Sequence, residues 1–422
     1  MSRLAGDCFA YGGERITVAE ALSLLEARTA PMVCPETVPL RAAVGRCLAE
    51  PLVSPRDVPT FANSAVDGYA FAFTAAMRSE AVRLPLHPGR SAAGHPFTGT
   101  LPAGSALRVL TGGMMPDGAD TVALQEEVTL DPDGAAVTIP PGLKCGANRR
   151  LAGEDVRRGQ TVLAAGARLR PQEIGLAAEL GRDRLSVFGR LEVAVLSTGD
   201  EIVEPGLDLP AGGVYDANRF ILMSLLATLP VEIKDLGIVR DDPDTVREVL
   251  GRAAARHHVV LTSGGASRGD EDHVVRSVQA MGRLDFWQIA MKPGRPLAFG
   301  RLGEAVFVGL PGNPVASMVC FLLFARPVLL RLAGAAWPRP NAFRVPAAFA
   351  FRKKPGRSEY LRATLVATEA GLAARHVPRE GSGILTSMVE AHGLVELGPE
   401  VERVEPGEPV SFLSFAELGI TS

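Results

Sequence analysis

Cysteine is scarce in this chain and poorly spaced for chemistry. The five cysteines (Cys8, Cys34, Cys47, Cys145 and Cys320) form no C-x-x-C pair. That spacing argues against a zinc site and a disulfide framework, and it suits a reducing cytoplasm. The seven histidines show no ligand spacing, and His257-His258 are read as structural or surface residues. Aromatic residues are only 5%, which leaves little for base stacking. A net charge of −3 gives no bulk attraction to nucleic acid or membrane. The N-terminus, MSRLAGDCFA, lacks a basic segment followed by an apolar core, so no signal peptide is expected. The most apolar run, 315–325, is interrupted by Arg326-Pro327. It falls short of the roughly 18 apolar residues a membrane span needs. It is read as a buried helix with Asn313 as N-cap and Pro314 in first position.

What is present points to a multidomain α/β and β protein. The 422 residues allow about two to four domains. Residues 14–31 predict an amphipathic helix, with Thr17 as N-cap, Glu20 completing a capping box, and Pro31 closing it. Residues 32–54 are short, Pro-broken and strand-like. From 55 to 150, short alternating runs (82–86, 106–110, 121–124, 136–139) are punctuated by Pro, Gly and Asp. Asp131-Pro132-Asp133-Gly134 is a turn between two of them. This reads as a small β domain. Residues 151–186 return to the mixed texture of 14–54, and Pro171 opens a short helix there. The two stretches suggest one discontinuous N-terminal linker domain interrupted by the β insert.

From 187 to about 335, strands alternate with helices, the mark of βαβ units. The strand-like segments end in polar or glycine-rich loops at 197–201, 240–243, 262–272, 291–296 and 309–314. In an open α/β sheet, ligands bind outside the carboxyl ends of the strands. These loops are therefore expected to converge on one crevice carrying carboxylates, glycines and two cations, which suits an anionic ligand held with a divalent metal. Residues 336–422 are β-textured and predict a small barrel or sandwich.

Several residues in those loops carry candidate chemistry. Asp67-Gly68 is either a polar site or a tight turn in which Gly68 supplies an unusual backbone angle. The loop after Leu110 holds Thr111, Gly112 and Gly113. Its glycines would let amides approach an anion, but it lacks the Gly-Lys-Ser/Thr of a Walker loop, and a plain turn fits equally. Ser263, Gly264 and Gly265 follow a buried-looking strand, and Asp270, Glu271 and Asp272 open the next helix. Helix-start amides suit phosphate, and a carboxylate beside phosphate suits Mg²⁺. The same acids also suit the helix dipole as simple caps. Lys292 and Arg295 flank Pro293-Gly294, either a rigid pair of cations fit for an oxyanion or simply a solvated loop. Asp200, Glu201, Asp241 and Asp242 follow strands and are either caps or metal ligands.

Taken together, NSAVDGYA, LSTGDEIVEPG, VYDANR, DLGIVRDDP, SGGASRGDEDH, FWQIAMKPGRPLAFG and GLPGNPVAS resemble motifs of the molybdopterin molybdenumtransferase family, the bacterial MoeA proteins and the gephyrin E-domain. They stand in family order from near residue 14 to about 400, where GILTSMVEAHGL resembles a last block. The resemblance implies an elongated four-part homodimer. Its parts are a discontinuous linker and dimerisation domain (14–54 and 151–186), an inserted β domain (55–150), a doubly wound α/β molybdopterin-binding domain (187–335) and a C-terminal β-barrel-like domain (336–422). It also implies a cleft between the α/β part and the β insert of the partner subunit. The implied reaction inserts molybdenum from molybdate into adenylylated molybdopterin, with Mg²⁺-dependent hydrolysis of the pyrophosphate linkage and AMP release.

Carried over by motif, the catalytic set is Asp67, Thr111, Glu201, Asp241 and Asp272, with Glu201, Asp241 and Asp272 as metal ligands. The substrate-binding set is Ser263, Gly264, Gly265, Lys292, Arg295, Pro311, Gly312, Asn313, Pro314 and Arg362. Implied partners are molybdopterin adenylyltransferase and other proteins of the cofactor pathway, without nucleic acid or membrane. The chain departs from the pattern at Ala62, where an Asp is common, at Arg268, usually small or apolar, and at Arg295, commonly Lys. Two other readings compete. One is a dimeric scaffold of the same fold, which would have no need of the carboxylates. The other is a related pyrophosphate hydrolase, which molybdate binding would separate from the transferase.

Overall fold

The computed structural model describes residues 16–264, 273–294, 296–369, 371–379 and 381–420. The first helix, Val18–Arg28, starts at the expected capping box. Thr17 Oγ1 accepts from Glu20 N at 3.2 Å, and the Glu20 carboxylate accepts from Thr17 N at 2.8 Å. The helix buries Val18, Ala21 and Leu25, and it buries them in the core of the α/β part rather than among the strands that follow it. Those strands pair across the chain. Pro35–Pro39 runs antiparallel to Arg184–Phe188, and Leu52–Val53 pairs with Thr161–Leu163. Val38, Leu48, Leu52, Val156, Leu169 and Val187 share one core between the two stretches.

The β insert is a six-stranded sheet in the order Thr121–Leu124, Gly68–Phe71, Ala106–Val109, Val82–Ser91, Ala136–Ile139, Thr129–Leu130. Gly68 is not the left-handed turn residue the sequence suggested. Its strand lies so close to Thr121–Leu124 that an added Cβ would stand 2.0 Å from the Ala123 carbonyl oxygen. Glycine is required there by close approach rather than by backbone angle.

The α/β sheet runs in the order Val231–Val239, Leu191–Thr198, Val259–Ser263, Ala305–Leu310, Pro296–Leu302, Gly282–Gln288. The first four strands are parallel, and the last two join as antiparallel neighbours. Side chains alternate between its faces. Val193, Val195, Val259, Leu261, Val306 and Val308 face one core with the helices Ala217–Leu226 and Pro314–Leu332. Ala194, Leu196, Val260 and Phe307 face a second core with the helices Pro243–Ala254 and His273–Met281. Each fully buried Leu or Val contributes roughly 1.5–3 kcal/mol, so a sheet covered on both faces is a firm base for the loops at its carboxyl edge.

The apolar helix does not stop at Arg326-Pro327, as the sequence suggested. It runs 19 residues, Pro314–Leu332, with a π turn at Phe321–Ala325 just before the proline. Proline lacks an N–H and its ring crowds the carbonyl four residues back, and the wider π turn takes up that misfit. By length and composition this helix could cross a membrane, but 78% of its most apolar window is buried inside the protein. It is the core helix of the α/β part.

The C-terminal sheet runs Phe343–Pro346, Pro409–Ser414, Gly393–Leu397, Ser358–Thr368, with Gly371–His376 on the far side of the last. A parallel bridge between Ala347 and Ala374 joins the two ends, so the sheet closes like a barrel around Leu361, Ala363, Val395, Val410 and Phe412. Tyr360, Leu394 and Leu413, the alternate positions, pack into the α/β core instead. A short strand of the α/β part, Met291–Lys292, also joins this sheet, parallel to Ser358-Glu359. The two parts are thus joined by apolar packing and by shared backbone hydrogen bonds.

Candidate active site

A cavity of about 910 Å³ opens at this seam. Its walls come from segments far apart in sequence, as the strand-end rule predicts. Glu201 follows the strand Leu191–Thr198, Ser263 and Gly264 end Val259–Ser263, and Pro311 to Pro314 follow Ala305–Leu310. Lys292 and Arg362 enter from the seam. Gly264 has φ +84°, and an added Cβ would meet the Thr198 carbonyl oxygen at 2.9 Å. Only glycine lets the ends of these two adjacent strands close up beneath the cavity floor. At Gly199, with φ +141°, a Cβ would stand 2.7 Å from a Glu201 carboxylate oxygen. Glycine there lets Glu201 fold back over its own loop.

The loop 311–314 was expected to cap a helix, and Asn313 does sit at the N-cap position. Its side chain makes no capping bond and lines the cavity instead, while its carbonyl accepts from Ser317 N at 2.8 Å. Asn218, near the start of the helix Ala217–Leu226, braces this loop by donating from Nδ2 to the Gly312 carbonyl at 2.6 Å. Arg362 is 3% exposed; its Nε donates to Ser387 Oγ at 3.2 Å and its Nη2 to the Arg379 carbonyl. Asp216 caps the same helix and is held by the buried Arg219, which also reaches Glu204 and Asp235. That guanidinium ties the wall carrying Glu201 to the sheet.

Asp67 and Thr111 lie elsewhere, in the β insert, and do not line this cavity. Asp67 Oδ1 accepts from both Thr111 N and Thr111 Oγ1, each at 2.7 Å. Those two bonds, the hydroxyl first and the amide second, hold the Asp67 carboxyl below its ordinary value, with a smaller contribution from Arg108. The neighbouring glycine amides serve the fold. Gly112 N donates to the Ser64 carbonyl and Gly113 N to the Leu110 carbonyl, each at 2.8 Å. The anion cradle that the sequence allowed at this loop is therefore not formed. The loop aims one threonine at one aspartate.

Asp241 does not line the cavity either; its amide donates to Asp200 Oδ1 at 3.2 Å. Asp242 proves to be a helix cap, accepting from Thr245 N at 2.8 Å, and the Thr245 hydroxyl first and its amide second hold its carboxyl below the usual range. Gly265, Asp272 and Arg295, with Arg268, Asp270 and Glu271, lie outside the described residues. Among the described residues, no group of three or more His, Cys, Asp or Glu side chains is arranged to hold a metal. Of the two candidate metal ligands that are described, Glu201 lines the cavity and Asp241 does not, so a hard ion bound there would have to complete its shell from substrate oxygens, as Mg²⁺ does. His257 and His258 are structural, as expected. The His257 ring meets the Ala253 carbonyl at the end of its helix, and His258 Nδ1 accepts from Glu192 N.

Sequence reasoning missed Ser197, Asp216, Asn218, Arg357 and Glu359, all of which line the cavity. Asn218 and Asp216 stood in the quoted VYDANR segment without a role, and Arg357 and Glu359 flank Ser358, where only Arg362 was singled out. The register that brings Glu359 opposite Lys292 is a contact across 67 residues of chain and leaves no local pattern to read.

Three family models match the chain in order: the MoeA N-terminal region (domain I and II) over residues 16–181, a probable molybdopterin binding domain over 194–331, and the MoeA C-terminal region (domain IV) over 344–415. A molybdopterin molybdenumtransferase from Haemophilus influenzae is 38% identical, over 91% of this chain and 94% of that protein. One from Synechococcus elongatus is 32% identical, over 94% and 99%. The crystal structure of the molybdopterin biosynthesis MoeA protein from Pyrococcus horikoshii superimposes with a TM-score of 0.81 at 29% identity, covering 95% of this chain and all of that one. With its fold, its loop geometry and these relatives in agreement, the chain belongs to the MoeA family.

Proposed function

We propose that this protein is a molybdopterin molybdenumtransferase of molybdenum cofactor biosynthesis, acting as a cytoplasmic homodimer on adenylylated molybdopterin and molybdate. The observation that carries the reading is the seam cavity. Glu201, the backbone of Ser263 and Gly264, the 311–314 loop, Lys292 and Arg362 surround one space large enough for an anionic cofactor precursor. Ser263, Gly264 and the 311–314 loop would hold the pterin and its phosphates, and Lys292, Arg295 and Arg362 would hold the oxyanion. Glu201, Asp241 and Asp272 would hold Mg²⁺, which supplies neutralising charge at the phosphate oxygens. Asp67 and Thr111 stand on a separate sheet, so a second copy of the chain would bring them to the cavity. There an ionised Asp67 would orient water at the pyrophosphate linkage, a reaction that chiefly needs positioning and charge neutralisation. The division of the chain is proposed as 14–54 with 151–186, 55–150, 187–335 and 336–422.

The test is release of AMP from adenylylated molybdopterin with Mg²⁺, with and without molybdate. Molybdate-dependent release together with active cofactor supports the reading. Release indifferent to molybdate marks another pyrophosphate hydrolase. A folded dimer that binds the pterin and releases nothing marks a scaffold.

A further inference from the structure

Glu359 is a carboxylate with 2% side-chain exposure at the wall of a cavity proposed to take anions. The parallel pairing of Met291-Lys292 with Ser358-Glu359 sets it opposite Lys292, whose Nζ lies 3.6 Å from Glu359 Oε2. Its other oxygen, Oε1, accepts from Arg357 Nε at 3.0 Å and Nη2 at 2.8 Å. Each oxygen therefore faces one cation, and both cations line the cavity. The two contacts differ in kind. Arg357 makes a two-bond fork of charge-assisted hydrogen-bond length. Lys292 stands beyond that length, and its side chain is 39% exposed.

We propose that Arg357 is a further oxyanion-binding residue of this cavity, and that Glu359 both positions it and competes with the incoming tetrahedral dianion for Lys292. The proposal rests on the reading that the cavity takes molybdate. Two cations in one pocket repel each other, and a fixed carboxylate between them holds them together. Water screens a buried charge poorly, so a dianion entering the same cavity feels that carboxylate strongly. Lys292 stands at the longer distance with its side chain partly exposed, while the fork keeps Arg357 in place. The carboxylate thus lowers the resting affinity of the site. An oxyanion that must be handed on to another group gains no turnover from tight ground-state binding.

The sign of this effect separates it from a structural role. Glu359→Gln keeps the shape and an acceptor for Arg357 but removes the charge. Sodium molybdate, and separately inorganic phosphate, would be titrated calorimetrically into the full-length protein at two ionic strengths. Glu359→Gln should tighten molybdate about tenfold, and most of the gain should persist at the higher ionic strength, because salt screens a buried charge little. Arg357→Gln should weaken molybdate about tenfold, since one cation is lost and Glu359 is left to Lys292 alone. Unchanged or weaker molybdate binding by a folded Glu359→Gln protein overturns the proposal. Should that variant fail to fold, unchanged binding by Arg357→Gln overturns it equally. The same shifts seen with phosphate and not with molybdate also overturn it, by assigning the subsite to a phosphomonoester. Lys292→Ala keeps the two failures apart. If it leaves molybdate binding untouched, the reading of the cavity fails. If it weakens binding while the other two variants do nothing, only the role of Glu359 and Arg357 fails.

Discussion

The β insert and the seam cavity build polar sites in opposite ways. In the insert, two loops that meet at the end of one strand pair make the whole arrangement. Asp67 takes two bonds from Thr111, and the adjacent glycine amides are already bonded to the Ser64 and Leu110 carbonyls. In the cavity, Glu201, Ser263, Lys292, Asn313 and Arg362 arrive from five segments, and their geometry exists only once the α/β and C-terminal parts have packed. The insert supplies the preset Asp67 carboxylate, away from this cavity. The cavity supplies a pocket without that carboxylate. The proposed hydrolysis of a pyrophosphate would need the space of one region and the activating group of the other.

Substitutions should separate the two regions. The largest effect is expected at Asp67→Asn, which should lower turnover about 10²–10³-fold, the range for losing one preorganised electrostatic group. Molybdate binding measured by calorimetry should be unchanged. A parallel loss of binding would merge the two regions into one. Lys292→Ala should do the reverse, weakening molybdate roughly 10- to 100-fold through loss of a charged contact. The stability and fold of the insert, followed by circular dichroism, should not change.

Two smaller effects sharpen the account of the insert. Gly68→Ala forces a methyl group against the Ala123 carbonyl and should cost about 1–3 kcal/mol, the range for overpacking. Chemical denaturation would show it, and a neutral result would mean that the strand pair has slack there. Thr111→Val acts on proton affinity. The hydroxyl bond is the largest influence holding the Asp67 carboxyl below its ordinary value. Asp67 therefore stays ionised as pH falls through the usual carboxylate range and is lost only below it. Removing the hydroxyl raises that carboxyl, so the acid limb of the rate profile should move to higher pH. An acid limb that stays put would show that a different group governs it.

The legible features were those encoded within a few residues. The capping box at Thr17 and Glu20, the turn at Asp131 to Gly134 and the glycine-rich strand ends each carry their cause locally. Convergence of the strand-end loops followed from a general rule of open sheets. Long-range register left no such trace. Nothing near Gly68 announces the Ala123 carbonyl, and nothing near Glu359 announces Lys292. The helix from Pro314 outran its apparent stop because a π turn absorbed Pro327, a device visible only in the backbone. The loop at Thr111 stayed open between an anion cradle and a plain turn for a related reason, since sequence shows that amides are present and not where they are already bonded.

The central claim is that the two regions combine across a homodimer. The most direct measurement mixes chains that fail for different reasons. Asp67→Asn and Lys292→Ala proteins would be co-expressed with separate tags, and the purified mixed dimers assayed for molybdate-dependent cofactor formation at molybdate too dilute to fill the Lys292→Ala site. If the insert of one subunit completes the cavity of its partner, each mixed dimer carries one doubly damaged site and one intact site. The mixed dimers should then recover about half of the wild-type rate. No recovery in confirmed mixed dimers would place Asp67 and Lys292 in the same chain's site and contradict the account.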